Sequence, residues 1–384
     1  MIKKMPFKPI LHSIRILDFT WALAGPYATR LLGDFGVEVI KVQPLLSSEA
    51  DDVISRGYYN TWNRNKLGIT LNLNEPEGVA MAKRLAAVCD AVVENFTPRV
   101  MANWGLDYAN LKKVKSDIIM VSMSVMGQAS PHRDYVGFGP TVQALSGMTR
   151  LTSFQGKLPT GPGFSYADHV AGLYASITLL EALEEQRRTG EGQYIDISEV
   201  EVMASLLERA APVPMGSESS VAAPHNVYRC RGENRWCAIA VFTEDEWRGL
   251  KKALGNPAWA DDKKFDTLTD RLNYKDEMDR LISTWTRKYA AEEVMSRLHE
   301  NGVAAGVVQD AADIANDPQL RARGFFIEDK TIPLLDATPI KLSKSAAEYK
   351  RGAPSPGQDN DYVYGKLLGI SRGKMAELKE KGVI

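Results

Sequence analysis

The sequence predicts an α/β protein, with a doubly wound, Rossmann-like large domain plus a smaller α+β domain. Three observations predict it. Strand-like and helix-like segments alternate, only a few residues apart, through roughly the first hundred residues. A long helical pattern then runs from Ala167 to Gly190. An aperiodic stretch rich in Pro, Ser and Ala, Ala211–Pro224, separates these elements from a second strand–helix series.

In chain order, Ile14–Phe19 reads as a buried strand. A small-residue turn (Ala22, Ala24, Gly25) follows, and Pro26 stands where it opens a helix that Gly36 closes. Val37–Val42 is β-branched and apolar, the next parallel strand. A helix starts at Pro76 and leads to strands Ala91–Glu94 and Ile118–Met123. Ligands of such sheets sit at the carboxyl ends of strands, so the loops after Phe19, Val42, Glu94 and Met123 are the first places to look. In the long helix, Val170, Leu173, Tyr174, Ile177, Leu180 and Leu183 recur at helical spacing and form its expected core face. Tyr194–Ile197 reads as a further strand. Beyond the linker come strand Trp236–Val241, a helix opened by the Thr243/Glu246 capping box, helices near 276–288 and 291–301, and strand Val303–Val308. Turn signals and a late helix fill the final sixty residues, as a return to the first domain would require. The expected domains are 1–215, 216–322 and 323–384, the last completing the first.

Composition narrows the function. The 384 residues are 44% hydrophobic and 25% charged, enough to bury more than one core. Lys plus Arg number 47 against 48 acidic residues, so no global field favours nucleic acid or an anionic membrane, and any anion site is local. Neither is an expected partner. Three scattered cysteines fit a reducing compartment rather than a secreted disulfide framework. Pro6, Pro9 and His12-Ser13 break any apolar leader, and no apolar run approaches a membrane span; a cytoplasmic location is expected. No phosphate-loop, HExxH or GxSxG pattern occurs, and five histidines show no paired ligand spacing. A hydrolase triad and a metal site are therefore not expected.

Asp168 is the carboxylate of interest, because a helix amino terminus offers free N–H groups and partial positive charge. Two readings stand side by side: a plain N-cap, or a free nucleophile that Gly161, Gly163 and Ser165 leave open to substrate. Trp62-Asn63-Arg64-Asn65-Lys66, just ahead of the strand-like Ile69–Leu73, is either a solvated turn or a phosphate and adenine clamp. Glu94-Asn95-Phe96 ends a strand at a switch-point crevice. Cys230 and Cys237 read as packed thiols.

Several strings together resemble family III CoA transferases: LDFTWALAGPYATRLLGDFGVEVIKV from Leu17, WNRNKLGITLNLNEPEG from Trp62, VVENFTPRVMANWGLDY from Val92, GFGPTVQALSGM from Gly137, and YADHVAGLYASITLLEALEEQRRTGEGQYIDIS from Tyr166. NGVAAGVV and NDPQLRARGFF extend the likeness over nearly the whole chain. The resemblance implies a large domain built from both chain ends, a homodimer of interlocked rings or a heteromer with a related subunit, and coenzyme A or acyl-CoA as substrate, with no metal or redox cofactor. It assigns the nucleophile to Asp168, which would carry CoA through an anhydride and an aspartyl-CoA thioester. It places Ala22, Leu23 and Ala24 against CoA, Leu71 and Asn95 on the nucleotide portion, and Lys41, Asn63, Asn65 and Lys66 in matching motifs. Against the formyl-CoA transferase pattern, Pro44 and Asn103 replace arginines and Gly139 replaces an acid. An acyl-CoA racemase on the same scaffold and a catalytically silent CoA-binding subunit are the alternatives; the racemase pattern has a histidine before ALSG that GFGPTVQALSG lacks. Trp21, Tyr58, Tyr59, Trp104 and Phe138 beside the expected site loops point to a bulky or aryl acid acceptor, with succinyl-CoA as donor.

Overall fold

The computed structural model describes residues 9–45, 53–154, 156–207, 221–329 and 332–384. Two compact units emerge, one from residues 1–211 with 324–384 and one from 212–323. Most of the stretch read as a linker lies outside the described residues.

In the first unit, six parallel strands form the sheet: β1 (Arg15–Asp18), β2 (Glu38–Gln43), β3 (Leu67–Thr70), β4 (Ala91–Glu94), β5 (Ile119–Ser124) and β6 (Tyr194–Ser198). Their order is β3-β2-β1-β4-β5-β6. This is the doubly wound arrangement, and the strand order reverses between β1 and β4, where a crevice opens at the carboxyl ends.

Successive residues of a strand face opposite sides, so each strand feeds two cores. Ile16, Val39, Ala91 and Ile119 pack against helices α1 (Ala24–Asp34) and α5 (Tyr166–Thr189). Leu17, Ile40, Val92 and Met120 pack on the other face against Leu85 of helix α3 (Pro76–Ala87) and against Tyr364 and Leu378 of the returning carboxyl-terminal segment. That segment is stitched to β3: Tyr364 Oη donates to the Thr70 carbonyl at 2.7 Å, and the Gly68 N–H donates to Asp359 at 2.8 Å. Helix α2 (Val53–Asn63) precedes β3, and α4 (Gly139–Leu145) precedes α5. No helix among the described residues is long and apolar enough to cross a membrane.

Helix α5 overturns one expectation. Its small-residue stripe (Ala171, Gly172, Ala175, Ser176) with Leu179 and Ala182 is the buried face, while Leu173, Tyr174, Ile177 and Leu180 are exposed. Close approach explains the choice: a Cβ on Gly172 would stand 2.7 Å from the Ala24 carbonyl of α1, so only small residues let the two helices meet.

The second unit is α+β. Antiparallel strands β7 (His225–Arg229), β8 (Trp236–Ala240) and β9 (Ala304–Val307) form its sheet. Helices Glu244–Ala253, Lys275–Thr286 and Ala291–His299 cover it, burying Trp247, Leu250, Ile282 and Val294. The Thr243/Glu246 capping box forms as read. Cys230 and Cys237 are free and buried in this core.

Candidate active site

The site is built on the loop that leaves β1. Asp18, the last residue of β1, is fully buried and accepts from the Thr20 N–H at 2.8 Å and from the Thr29 hydroxyl at 2.7 Å. Lys66 Nζ donates to Asp18 Oδ2 at 2.9 Å, and Lys41 Nζ lies 3.6 Å from Oδ1 and donates to the Thr20 carbonyl. Burial pushes the Asp18 carboxyl up, but the two ammonium groups and two hydroxyls outweigh it and hold it far below its usual range. This buried cluster fixes residues 20–24. Within them Ala22 adopts φ +57°, a left-handed conformation that costs a non-glycine residue energy and persists only because its surroundings fix it. Asn95, just after β4, closes the loop from the far side: it accepts from the Trp21 N–H at 2.8 Å and donates to the Trp21 carbonyl at 3.0 Å. Loops from β1 and β4 therefore meet at the switch point.

Asp168 faces that junction. Ser165 is the N-cap of α5 and Asp168 its third residue, so the plain N-cap reading does not hold. Burial raises its carboxyl to about 6, offset only by a hydrogen bond from its own backbone N–H, and no cation among the described residues compensates it. It shares a cavity of about 110 Å³ with Ala22, Asn95, Ser124, Gly137, Phe138 and Glu199. Trp21 and Phe138 make an edge-to-face pair at 6.0 Å on its wall. Burial, and after it the charge of nearby Asp168, raises the hydroxyl of Tyr58 in α2 to about 12. Next door, His169 donates from Nδ1 to the Ser165 carbonyl at 2.7 Å and packs against Tyr27, Trp62 and Phe164, a ring-orienting contact for the helix start.

A carboxylate that is desolvated, unpaired and open to a cavity at a doubly wound switch point is a candidate nucleophile. The model of CoA-transferase family III matches residues 11–360. The chain belongs to that family. It is 33% identical, over the full length of both proteins, to the succinyl-CoA–D-citramalate CoA-transferase of Chloroflexus aurantiacus. To the succinate–glutarate CoA-transferase of Agrobacterium fabrum it is 31% identical, over 95% of this chain and 97% of the relative. A solved CaiB/BaiF family protein from Brucella suis superposes with a TM-score of 0.84 at 27% identity, covering 93% of this chain and 99% of that one. The protein is thus a CoA-transferase.

For this CoA-transferase, the sequence-predicted residues divide into two sets. Asp168, Ala22 and Asn95 line one cavity, and Leu23 and Ala24 start α1 beside it, where the first helical turn leaves backbone N–H groups without intrahelical partners. The other residues are turned away. Arg64 is 1% exposed and bonds Asp34 in bidentate fashion at 3.0 and 2.6 Å, and Lys66 spends its three donors on Asp18, Pro26 and Asn63. Asn63 is buried with Lys66; Asn65, at φ +63°, donates to Asp34 and to the Glu348 carbonyl. Lys41 belongs to the Asp18 cluster, and Leu71 is core. The Trp62–Lys66 string is neither a solvated turn nor a cavity-facing clamp, because every cation in it is neutralised by a buried acid. Tyr59 hydrogen bonds Pro354, and Trp104 packs on Phe96, so both are structural.

Nor do Gly161 and Gly163 line the cavity; its wall is Tyr135–Phe138 instead. Gly139 follows, and a Cβ there would overlap Asp168 Oδ2. That close approach gives a reason for glycine where the formyl-CoA pattern has an acid. Gly139→Ala is expected to turn the Asp168 side chain and lower kcat/KM by about tenfold to a hundredfold. Its thermal midpoint should stay near wild type, because a flexible side-chain end gives way; steady-state kinetics beside a thermal melt checks both. Sequence reading missed Glu199 and Ser124, which are ordinary as letters: an acid in the first turn of a helix and a serine at a strand end.

Proposed function

We propose that Asp168 carries coenzyme A from succinyl-CoA to a short carboxylic acid. The Asp168 carboxylate adds to the thioester carbon and expels CoA thiolate, leaving an aspartyl anhydride. The thiolate attacks the aspartyl carbonyl and releases the donor acid, giving an aspartyl-CoA thioester. An acceptor carboxylate then repeats the sequence in reverse. One difficult exchange becomes a series of easier acyl transfers, with no net proton change. The observation that carries this reading is the unpaired, desolvated Asp168 carboxylate in a cavity walled by the β1 and β4 loops.

A donor succinyl-CoA is supported by the relatives, whose names pair succinate or succinyl-CoA with citramalate or glutarate. Those acids are short, and a cavity of about 110 Å³ suits them better than the bulky or aryl acceptor that its aromatic wall first suggested. The exposed apolar stripe Leu173, Ile177 and Leu180 of α5 supports a working dimer. Coenzyme A release and acyl-CoA formation, measured by chromatography over a grid of acyl-CoA donors and carboxylates, tests the reading. Succinyl-CoA with C4–C6 dicarboxylic or hydroxy acids is expected to turn over fastest, and kcat/KM should drop by about a hundredfold or more for aryl acids. Release of free succinate without any acceptor, at the rate of the full reaction, would make the protein a hydrolase instead.

A further inference from the structure

We propose that Glu199 is a second catalytic carboxyl of this cavity, donating its O–H to the carbonyl oxygen of the thioester that Asp168 attacks. The inference rests on the nucleophile reading of Asp168. Glu199 opens helix α6 (Glu199–Leu206), directly after β6, and is only 7% exposed, yet it lines the cavity together with Asp168. Ser198, not Glu199, caps that helix, accepting from the Glu201 N–H at 3.3 Å.

No charge of opposite sign meets Glu199 from the described elements around it. Helix α5 brings Asp168, the one charged group among the described residues whose field raises Glu199, while Gln143 of α4 is neutral and donates to the Phe164 carbonyl. From β6 comes Asp196, which accepts from the Gln128 N–H at 3.0 Å. The loop before α4 carries Arg133 and Asp134, 4.0 Å apart, with Asp134 also bound to Arg99 at 2.6 Å, and His132, stacked on Tyr135. A helix start favours an anion only weakly, an effect small beside the cost of an unpaired buried charge. Burial, then the neighbouring Asp168 charge, accordingly push Glu199 up to about 8. Glu199 is the more deeply buried of the two carboxyls, so near neutrality it is the one that keeps the proton of the pair.

An independent feature points to a ligand in the same place. The Ser124 hydroxyl is buried, lines the cavity and has no hydrogen-bond partner among the described residues. A hydroxyl left unsatisfied beside the buried Glu199 carboxyl calls for a polar acyl group in the cavity, because an unmet buried donor is costly. In the step proposed, Asp168 Oδ adds to the thioester carbon and the carbonyl electron pair moves to oxygen. The O–H of Glu199 is shared with that oxyanion and not transferred. Collapse restores the carbonyl, expels CoA thiolate and leaves the proton on Glu199. A neutral carboxyl donor of this kind also admits an incoming carboxylate that an ionised Glu199 would repel.

Rates of CoA transfer from succinyl-CoA, followed from about pH 5 to 10, test the idea. In the wild type, kcat/KM should rise through about 6 as Asp168 ionises and fall above about 8 as Glu199 ionises. Glu199→Gln keeps an N–H donor that cannot ionise. It is expected to lose about tenfold near neutrality and to lose the alkaline fall, while Glu199→Ala loses about a hundredfold at every pH. An alkaline fall that persists in Glu199→Gln, or both variants within twofold of wild type, would overturn the role. The intact mass of wild type incubated with succinyl-CoA separates the two layers: with an aspartyl-CoA adduct present, such results sink Glu199 alone, and without it the Asp168 reading fails as well.

Discussion

Asp168→Asn should lose about ten-thousandfold in transferase turnover while binding CoA as tightly as wild type. An amide is isosteric with the carboxylate but cannot add to a thioester to form an anhydride, and losses of this order follow removal of a nucleophile. Stability should move the other way. The folded carboxyl sits at about 6, above its ordinary 3.8, so the native state holds its proton to higher pH than the unfolded chain. The ionised group therefore costs stability as pH rises through that window, and the neutral amide removes the cost at pH 7. A melt showing an unchanged or raised thermal midpoint, beside lost turnover, separates chemistry from folding. Retained turnover would place the nucleophile elsewhere.

Asp18→Asn should destabilise the large unit by about 3–5 kcal/mol, because it leaves the Lys41 and Lys66 ammonium groups buried beside an uncharged amide. Only Asp18 compensates them both in that cluster, and none of the three is more than 4% exposed. The same change leaves one acceptor oxygen where there were two, so Thr20 on one side or Thr29 and Lys66 on the other lose their acceptor, the turn that carries Ala22 loosens, and the KM for acyl-CoA should rise as well. Asp18→Asn/Lys66→Met, which removes an orphaned charge with its partner, is expected to recover part of the loss. Denaturant unfolding of the three proteins measures it. A single variant within about 0.5 kcal/mol of wild type would show that the cluster is not what fixes the loop.

The alternation of strand and helix patterns carried the doubly wound sheet, since Val37–Val42 and Ala91–Glu94 are buried on both faces and leave little else to be. Pro76, Gly36 and Gly190 marked helix ends because their backbone preferences are local. Helix α5 misled for the opposite reason. Its large apolar stripe looked like the core face, whereas the partner helix lies so close that only glycine, alanine and serine line the contact, a fact set by tertiary contact. The Trp62–Lys66 string misled similarly: its cations suit phosphate, but Asp18 and Asp34, distant in sequence, reach them first. Asp168 could be singled out from its place at the start of the long helix and from the family likeness. Glu199 could not, because only folding brings it beside Asp168 and removes its water.

Mass spectrometry of the protein quenched with hydroxylamine during turnover of succinyl-CoA tests the central claim most directly. An aspartyl thioester at Asp168 would be converted to a hydroxamate on the peptide that contains it, and Asp168→Asn would carry none. A wild-type chain that turns over substrate yet yields an unmodified Asp168 peptide under the same quench would contradict it.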